Sequence, residues 1–280
     1  MADWIDEVKE KNLMGSTQCL TDDHYFCQFA QAATGEALVK TPSMQKGMEL
    51  KWHEFGELAK EQFNNSSGTM IQSDFKVDAH EVADTYDEWA KDYDADCFNV
   101  LGFDSPFATR DHTLAYWPRD SDGRVSTKAT ILDAGCGTGL LAQMLLEATG
   151  GRKGQIHGFD LSKGMLERAK ESGNYDSLRQ QSVTEKWPFD SNSMDVIMCN
   201  GVLVYVTDNT CLEEFRRVAK VGGHIVLMVR EDNIDFWQPK MDEMESQASW
   251  RLVERSEPRL NFVNDTIKQI LYRIYVFQKL

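Results

Sequence analysis

Hydrophobic and polar residues follow a distinctive pattern from Ala129 onward, where short apolar runs alternate with amphipathic stretches. Such a pattern is typical of strand–helix units that build a parallel sheet. Four runs are predicted strands, namely ATILDAG, QIHGFD, SMDVIMCN and GGHIVLMVR, and helices are predicted at about 140–148, 162–171 and 209–219. We therefore expect an α/β fold with a doubly wound, mostly parallel sheet.

The C-terminal region shows a different pattern, with apolar residues recurring at every second position. SWRLVERSEPRL is one such segment, and QILYRIYVFQKL is the other, with Ile270, Tyr272, Ile274 and Val276 on one face. Period-two alternation is typical of strands with two distinct faces. These segments are predicted to be antiparallel strands, so the sheet should include an antiparallel C-terminal strand.

The first 63 residues or so have helical spacing, and the clearest helix opens at Thr41 and Pro42. Its apolar stripe consists of Met48, Trp52, Phe55, Ala59 and Phe63. The polar segment NNSSGT at 64–69 predicts a flexible joint. We expect a helical N-terminal extension at 1–69 and a main domain at 70–280. The stripe is predicted to pack onto the main domain, with a lid or a dimer face as alternatives.

A glycine-rich turn follows the first strand of the main domain, with glycines at Gly135, Gly137 and Gly139. Glycine adopts unusual backbone angles and allows close approach of a ligand, while the helix that follows offers unpaired N–H groups. This turn predicts a nucleotide-like ligand. S-adenosylmethionine and a dinucleotide such as NAD both remain open, because Gly137-x-Gly139-x-x-Ala142 also fits a relaxed dinucleotide fingerprint.

Two carboxylates favour S-adenosylmethionine as the cofactor. Asp133, at the end of the strand, would repel a pyrophosphate but attract the ammonium and sulfonium groups of this donor. Asp160 lies 21 residues after Gly139, at the end of the second strand, where a carboxylate can accept the hydroxyl groups of a ribose. The alternative role for Asp160 is the N-cap of the following helix.

Charge and composition exclude several other classes. The formal net charge of −15 disfavours a nucleic-acid partner, because the protein field repels phosphates. The start MADWIDEVKEKN lacks a signal-peptide pattern, and no apolar run approaches the roughly 20 residues of a membrane span, so we expect a cytoplasmic protein without a membrane partner. The six cysteines show no metal-ligand spacing, and no metal site is predicted.

Three ordered motifs carry a family resemblance. ILDAGCGTGL resembles motif I of the class I S-adenosylmethionine-dependent methyltransferases, IHGFDLSKGMLERA resembles their next element, and RRVAKVGGHIVL resembles a later one. The resemblance spans about Val82 to Leu280. Within it, YDEWAKDYDAD, FDLSKGMLERAKESGNYDSL and the RIYVF ending are most similar to the methyltransferases named for the Williams-Beuren region.

The resemblance implies roles for individual residues. Asp133 and the backbone from Gly135 to Gly139 would hold the methionine end of the donor, and Asp160 the ribose. Leu161 would cover one adenine face. Asn200 would lie near the sulfonium and the substrate.

One position departs from the family pattern. Many relatives have an aspartate after the third strand, near the adenine amine, whereas this chain reads RQQSV at 179–183. Ser182 takes the corresponding place. We therefore include Ser182 as a candidate contact of the adenine.

A stripe of large side chains precedes the main domain. Tyr86, Trp89, Ala90 and Tyr93 are spaced to share one helix face. Core packing is one interpretation of such a stripe. The resemblance adds a second, in which the helix caps the donor pocket and Tyr86 or Tyr93 contacts the cofactor.

The predicted function is transfer of a methyl group from S-adenosylmethionine to a small-molecule O, N or S acceptor, with S-adenosylhomocysteine as product. Alignment and desolvation can carry much of such an in-line displacement, so no catalytic residue is assigned. If the acceptor must lose a proton, His80, His112 and Tyr205 are candidate bases. The alternatives are a protein methyltransferase and a catalytically silent protein that binds the cofactor and recruits a partner.

Overall fold

The computed structural model describes residues 38–39, 50–51, 79–263 and 270–280. The chain divides into two compact units, one formed by Ser73–Lys91 with Gly102–Leu280 and the other by Met1–Gln72 with Asp92–Leu101. The predicted boundary at residue 69 stays a prediction, because residues 52–78 lie outside the described ranges.

The larger unit is built on one mixed sheet with strand order β5-β4-β3-β6-β7-β10-β8, and β9 pairs with β10. The strands are β3 (Thr130–Ala134), β4 (Gln155–Asp160), β5 (Ser177–Gln180), β6 (Met194–Cys199), β7 (Ala219–Arg230), β8 (Trp250–Arg255), β9 (Arg259–Leu260) and β10 (Leu271–Lys279). The first five in this order are parallel, whereas β10 is antiparallel to β7, β8 and β9. The predicted α/β fold with an antiparallel C-terminal strand is confirmed.

The helices of the described ranges alternate with these strands. They are α1 (Ala79–Trp89), α2 (Tyr93–Ala95), α3 (Ser105–Tyr116), α4 (Leu140–Ala148), α5 (Lys163–Ser172), α6 (Leu212–Val218) and α7 (Ile234–Ser246). The helix predicted at 209–219 is wrong at both ends: a 3₁₀ turn occupies Asn209–Cys211, and Ala219 already belongs to β7. Neither α3 nor α7 was predicted.

Both faces of the sheet are buried because successive residues of each strand point to opposite sides. Leu132, Ile197 and Leu227 pack with α6 and α7, whereas Ile131, Val196 and Val226 pack with α3 and α4. All six side chains are fully buried. The doubly wound arrangement follows from this two-sided burial.

The position of β3 fixes the place of the functional site. β3 lies between β4 and β6, and the chain builds the sheet outward from it, through β4 and β5 on one side and through β6 and β7 on the other. Ligands of open α/β sheets bind at this kind of reversal, outside the carboxyl ends of the strands. The glycine turn directly follows β3.

The other unit is described in two pieces. β1 (Leu38–Val39) and β2 (Leu50–Lys51) pair antiparallel, so a helix running unbroken from Thr41 past Lys51 is wrong. The stripe residues from Met48 to Phe63 lie outside the described residues. In the second piece, α2 continues into a wide helical turn at Asp96–Leu101, where burial raises the pKa of the Cys97 thiol.

The continuous helix predicted for Tyr86 through Tyr93 is also wrong. α1 ends at Trp89, a turn covers residues 90–92, and Tyr93 begins α2 in the other unit. Asp92 directly precedes α2, and aspartate is a poor interior helix residue that favours helix starts.

Candidate active site

The glycine turn has three left-handed residues, with φ angles of 77° at Gly135, 53° at Gly137 and 89° at Gly139. A Cβ at Gly135 would lie 2.1 Å from Cγ2 of Val202, and one at Gly139 would lie 3.0 Å from Cε2 of Tyr175. A Cβ at Gly137 would meet nothing within 4 Å. The outer glycines therefore allow close packing, whereas Gly137 borders free space where a ligand can approach the backbone.

Asp160 is tied to this turn through both carboxylate oxygens. Oδ2 accepts the N–H of Gly137 at 2.8 Å, and Oδ1 accepts the N–H of Ser162 at 2.9 Å. The Leu161 N–H also interacts with this carboxylate, which has about four lone-pair sites and so keeps acceptor capacity for a ligand. Burial raises the pKa of Asp160, and these backbone hydrogen bonds oppose the rise.

The N-cap of α5 is Ser162, whose Oγ accepts the N–H of Met165 at 3.0 Å. The alternative interpretation, in which Asp160 serves as this cap, is therefore wrong. Asp160 instead bridges the glycine turn and the start of α5, with both oxygens directed at the carboxyl edge of the sheet.

Asp133 lies beneath the turn and is only 1% exposed. Its Oδ2 accepts the hydroxyl of Tyr175 at 2.8 Å. The pKa of Asp133 is raised to about 7, chiefly by burial; the hydrogen bond from Tyr175 opposes this rise, and the nearby Asp160 adds to it. A cation bound near the turn would favour the ionised form of this carboxyl group. A direct contact between Asp133 and the donor stays a prediction.

Leu161 and Ser182 follow the carboxyl ends of β4 and β5. The Leu161 carbonyl accepts Nε2 of Gln180 at 3.0 Å, which joins the two strand ends. The Ser182 hydroxyl lies 2.9 Å from that of Thr184. Both residues are half-buried at the edge where an adenine would lie, and their contacts with it remain predictions.

Asn200 directly follows β6, on the other side of the turn. Its Oδ1 accepts the hydroxyl of Thr109 at 2.8 Å, which fixes the orientation of the amide. The packing of Val202 against Gly135 brings the segment after Asn200 next to the glycine turn. Asn200 therefore lies at the edge shared by β3 and β6, and its proximity to the sulfonium and the substrate stays a prediction.

Helix α1 is fastened to the start of α5. Oδ1 of Asp87 accepts the N–H of Gly164 at 2.8 Å and also the hydroxyl of Ser162. A Cβ at Gly164 would lie 2.9 Å from the Asp87 carbonyl oxygen, so the two helices approach closely at a glycine. Asp87 was not predicted as a site residue, since no local pattern joins it to residues some 75 positions away.

The candidate bases are all engaged or outside the described side chains. Tyr205 and Tyr86 share a hydrogen bond, with their hydroxyl oxygens 2.9 Å apart. His112 has Nδ1 2.7 Å from the Ala108 carbonyl oxygen and Nε2 3.3 Å from Oε1 of Glu254, which indicates a structural role on α3. The side chain of His80 is outside the described part of the chain.

Comparisons with known proteins bear on this geometry. Residues 132–227 match the family described as "Methyltransferase domain". That range begins just before the glycine turn and ends in β7, so it contains Asp133, Asp160 and Asn200. This chain carries a class I S-adenosylmethionine-dependent methyltransferase domain.

Two curated relatives share this methyltransferase domain. A demethylmenaquinone methyltransferase of Oceanobacillus iheyensis is 37% identical over 117 residues, which cover 39% of this chain and 49% of that protein. Human methyltransferase-like protein 27, a Williams-Beuren region methyltransferase, is 32% identical over 173 residues. These residues cover 59% of this chain and 66% of that protein. The chain thus spans half to just under two thirds of the length of these relatives.

A solved structure supports the fold of the methyltransferase domain. It is a chain of the complex between the Haloferax volcanii Trm112 methyltransferase activator and a methyltransferase, with 21% identity and a TM-score of 0.51. The similarity covers 71% of this chain and 97% of that chain. The family resemblance seen in the three sequence motifs is confirmed.

The described residues contain neither a candidate membrane span nor a candidate metal site. Within 79–263 and 270–280, no helix is long and apolar enough to cross a membrane. Across the same ranges, no group of three or more His, Cys, Asp or Glu side chains is arranged to hold a metal ion.

Proposed function

We propose that this protein binds S-adenosylmethionine at the glycine turn and transfers its methyl group to a small-molecule O, N or S acceptor. The observation that carries the proposal is the paired arrangement of Asp160 with Gly137: a carboxylate with spare acceptor sites beside a left-handed glycine that borders free space. This pair suits a ribose whose two hydroxyls donate to one carboxylate.

The residues around the turn fit the whole donor. Asp160 would hold the ribose, Leu161 an adenine face, and the N–H groups at the start of α4 the carboxylate of the methionine portion. Asp133 supplies negative charge beneath the turn, opposite to the sulfonium and ammonium groups. When bound, the donor supplies an activated methyl carbon that needs no covalent enzyme intermediate.

What the protein then contributes is alignment and exclusion of water. Asn200 is held rigidly by Thr109 and can orient an acceptor by hydrogen bonding. Helix α1, fixed on α5 by Asp87, would cover the turn and keep water from the reacting atoms. An acceptor with a bound proton must pass it to a base, and Tyr205 remains a candidate for this step.

The small-molecule class is supported by charge and by one relative. The net charge of −15 disfavours nucleic acids, and the demethylmenaquinone methyltransferase is named for a small acceptor. A protein acceptor is the alternative outcome of the experiment below.

Two measurements test the proposal. Calorimetry should show binding of S-adenosylhomocysteine by the full chain and no binding of NADH. Methyl-labelled S-adenosylmethionine should then transfer label into the small-molecule filtrate of an extract rather than into its protein fraction. Failure to bind S-adenosylhomocysteine contradicts the donor site. Label in protein overturns the acceptor class, and donor binding without any transfer favours a silent cofactor-binding protein.

A further inference from the structure

A stripe of hydroxyl side chains runs along α3 and faces β6. Ser105, Thr109 and Thr113 are four residues apart, which places them on one helix face, and all three are fully buried. Thr113 donates to Sδ of Met198 at 3.8 Å, and Thr109 donates to Asn200 at 2.8 Å. α3 therefore runs antiparallel to β6, with its N-terminus at the carboxyl edge of the sheet.

The spacing of these contacts places Ser105 beyond the strand. Four residues of helix rise by about 6 Å, close to the roughly 6.6 Å that two strand residues span. The step from Thr113 to Thr109 matches the step from Met198 to Asn200. One further step puts Ser105 about 6 Å past Asn200, level with the segment that packs against the glycine turn.

A second segment reaches the same edge from the C-terminal strands. Tyr272 pairs with Arg230, the last residue of β7, so the start of β10 lies at the carboxyl end of the parallel strands. Asn261 is in this region. Its carbonyl oxygen accepts the N–H of Asp104, the residue before Ser105, at 2.9 Å.

The two segments meet in a well-anchored junction. Asp104 forms a bidentate ion pair with Arg259, whose N–H groups donate at 2.7 and 2.9 Å. It also accepts the hydroxyl of Tyr272 at 2.6 Å. Phe103 stacks on Phe262 with ring centroids 5.3 Å apart. A Cβ on Gly201 would lie 3.7 Å from Cζ of Phe103, so the aromatic pair adjoins the segment after β6.

Two polar atoms at this junction are unsatisfied. Oγ of Ser105 and Oδ1 of Asn261 are buried and have no hydrogen-bond partner among the residues that the structure describes. A buried polar atom without a partner costs about 1 to 3 kcal/mol. An unsatisfied buried atom in a native structure needs an explanation, and a ligand that supplies the missing bond is one.

We propose that Ser105 and Asn261 form an acceptor subsite that receives a hydroxyl or amino group of a flat, uncharged, largely apolar methyl acceptor. The inference rests on the proposed function and names the chemistry of its acceptor. Asn261 Oδ1 can only accept a hydrogen bond, so the ligand group must donate one, whereas the Ser105 hydroxyl can donate or accept. A hydroxyl both donates and accepts, so it is a suitable partner for either atom.

The surroundings define the rest of the ligand. Phe103 and Phe262 offer ring faces for stacking, which suits an aromatic or conjugated acceptor. Arg259 forms an ion pair with Asp104, so its charge is already balanced within the protein. Burial of a charged ligand here would therefore be costly. Since both polar atoms are covered, the ring of Phe262 must turn away from Phe103 to admit the acceptor between them.

The test uses 1-naphthol as a probe with one hydroxyl, and naphthalene as the matched hydrocarbon. Binding to the full chain saturated with S-adenosylhomocysteine is followed by fluorescence titration. Wild-type protein should bind 1-naphthol more tightly than naphthalene. Ser105→Ala and Asn261→Ala should each weaken naphthol binding about tenfold, equivalent to about 1.4 kcal/mol, and leave naphthalene binding within twofold.

Thr113→Val provides a matched control, because its hydroxyl has a partner inside the protein. It should leave naphthol affinity unchanged. Ser105→Ala should keep or raise the melting temperature, since no intramolecular hydrogen bond is lost. The subsite is overturned if naphthol binds no more tightly than naphthalene, if both alanine variants bind it normally, or if Ser105→Ala melts several degrees lower. Loss of S-adenosylhomocysteine binding by wild-type protein would instead count against the proposed function.

Discussion

Tyr175 donates its hydroxyl to Oδ2 of Asp133 across 2.8 Å, from a position just before β5 to the end of β3. The same tyrosine ring lies against two glycines. A Cβ would lie 3.0 Å from the ring at Gly139 and 2.8 Å from it at Gly158. One side chain thus packs against the glycine turn and donates a hydrogen bond to the carboxylate that precedes it.

Asp133→Asn should stabilise the unliganded protein at high pH. Burial raises the pKa of Asp133 to about 7, from about 4 in an unfolded chain. Between these values the folded state binds more protons than the unfolded state, so this group makes stability fall as pH rises. At pH 8 the variant should be more stable by about 4 kcal/mol, and at pH 5 by only about 1 kcal/mol. Urea denaturation at both pH values measures this. An equal difference at both would contradict the raised pKa.

Tyr175→Phe should shift the pH dependence of donor binding. Burial and the nearby Asp160 raise the pKa of Asp133, whereas the Tyr175 hydroxyl lowers it. The neighbouring thiols of Cys136 and Cys199 also have raised pKa values and are therefore neutral. Without the hydroxyl, the pKa of Asp133 should rise, so S-adenosylmethionine should require a higher pH to bind.

Calorimetric titrations between about pH 6 and 7.5 avoid loss of the proton from the α-amino group of the donor. Within this range the affinity profile of the variant should be displaced to higher pH, so that at the upper end it binds the donor more weakly than the wild-type protein. Tyr116→Phe serves as control, because its hydroxyl donates to Glu254 rather than to Asp133. An unchanged profile for Tyr175→Phe would mean that Asp133 does not contribute charge to donor binding.

The parts of the fold that could be predicted from sequence are those with a local signal. β3, β4 and β6 are short apolar runs because both of their faces are buried. α3 was missed because its buried stripe carries Ser105, Thr109 and Thr113 instead of apolar residues. α7 contains Pro239, which ordinarily marks a helix end.

The same distinction applies to the site. Gly137 and Asp160 belong to a strand–turn–helix unit with characteristic spacing, and the structure brings them together. Asp87 and Tyr175 reach their partners through tertiary packing, across some 75 and 42 residues of chain. No pattern along the sequence encodes such a pair, because which turn approaches which helix is decided by the packing of the whole domain.

Asp160→Ala should weaken binding of S-adenosylhomocysteine by about 1.5 to 3 kcal/mol, because hydrogen bonds from the ribose to a charged acceptor are lost. Ser162→Ala is the matched control, since it removes the N-cap of α5 and leaves the Asp160 carboxylate in place. The control should lower the melting temperature with a smaller loss of affinity. Equal losses of affinity in the two variants would show that Asp160 acts only by ordering the start of α5.

Gly164→Ala should destabilise the protein, although alanine is the better helix residue by about 1 kcal/mol. The added Cβ would lie 2.9 Å from the carbonyl oxygen and 3.0 Å from Cα of Asp87, so α1 must move away from α5. Asp87→Ala should act in the same direction by removing two hydrogen bonds. Chemical denaturation checks both variants. A more stable Gly164→Ala protein would show that α1 does not pack here.

The hydrogen bond between Tyr86 and Tyr205 permits a test of the role of α1, with four proteins in a double-mutant cycle. Each Tyr→Phe change removes one hydroxyl and keeps the ring volume, so each should cost about 1 kcal/mol of unfolding free energy. The double variant should cost little more than either single one, because both changes break the same bond.

Donor affinity separates the two interpretations of this helix. If α1 covers the donor, Tyr86→Phe should raise the dissociation constant of S-adenosylhomocysteine a few-fold, as the loss of about 1 kcal/mol implies. Tyr116 is on α3, and its hydroxyl donates to Glu254 on β8. Tyr116→Phe should therefore cost stability without changing donor affinity. Tyr86→Ala should lower stability by about 3 to 5 kcal/mol under either interpretation, because it leaves a cavity beside Trp89. The Phe variant is therefore decisive: unchanged affinity in Tyr86→Phe, with the coupling to Tyr205 intact, would assign this helix to core packing alone.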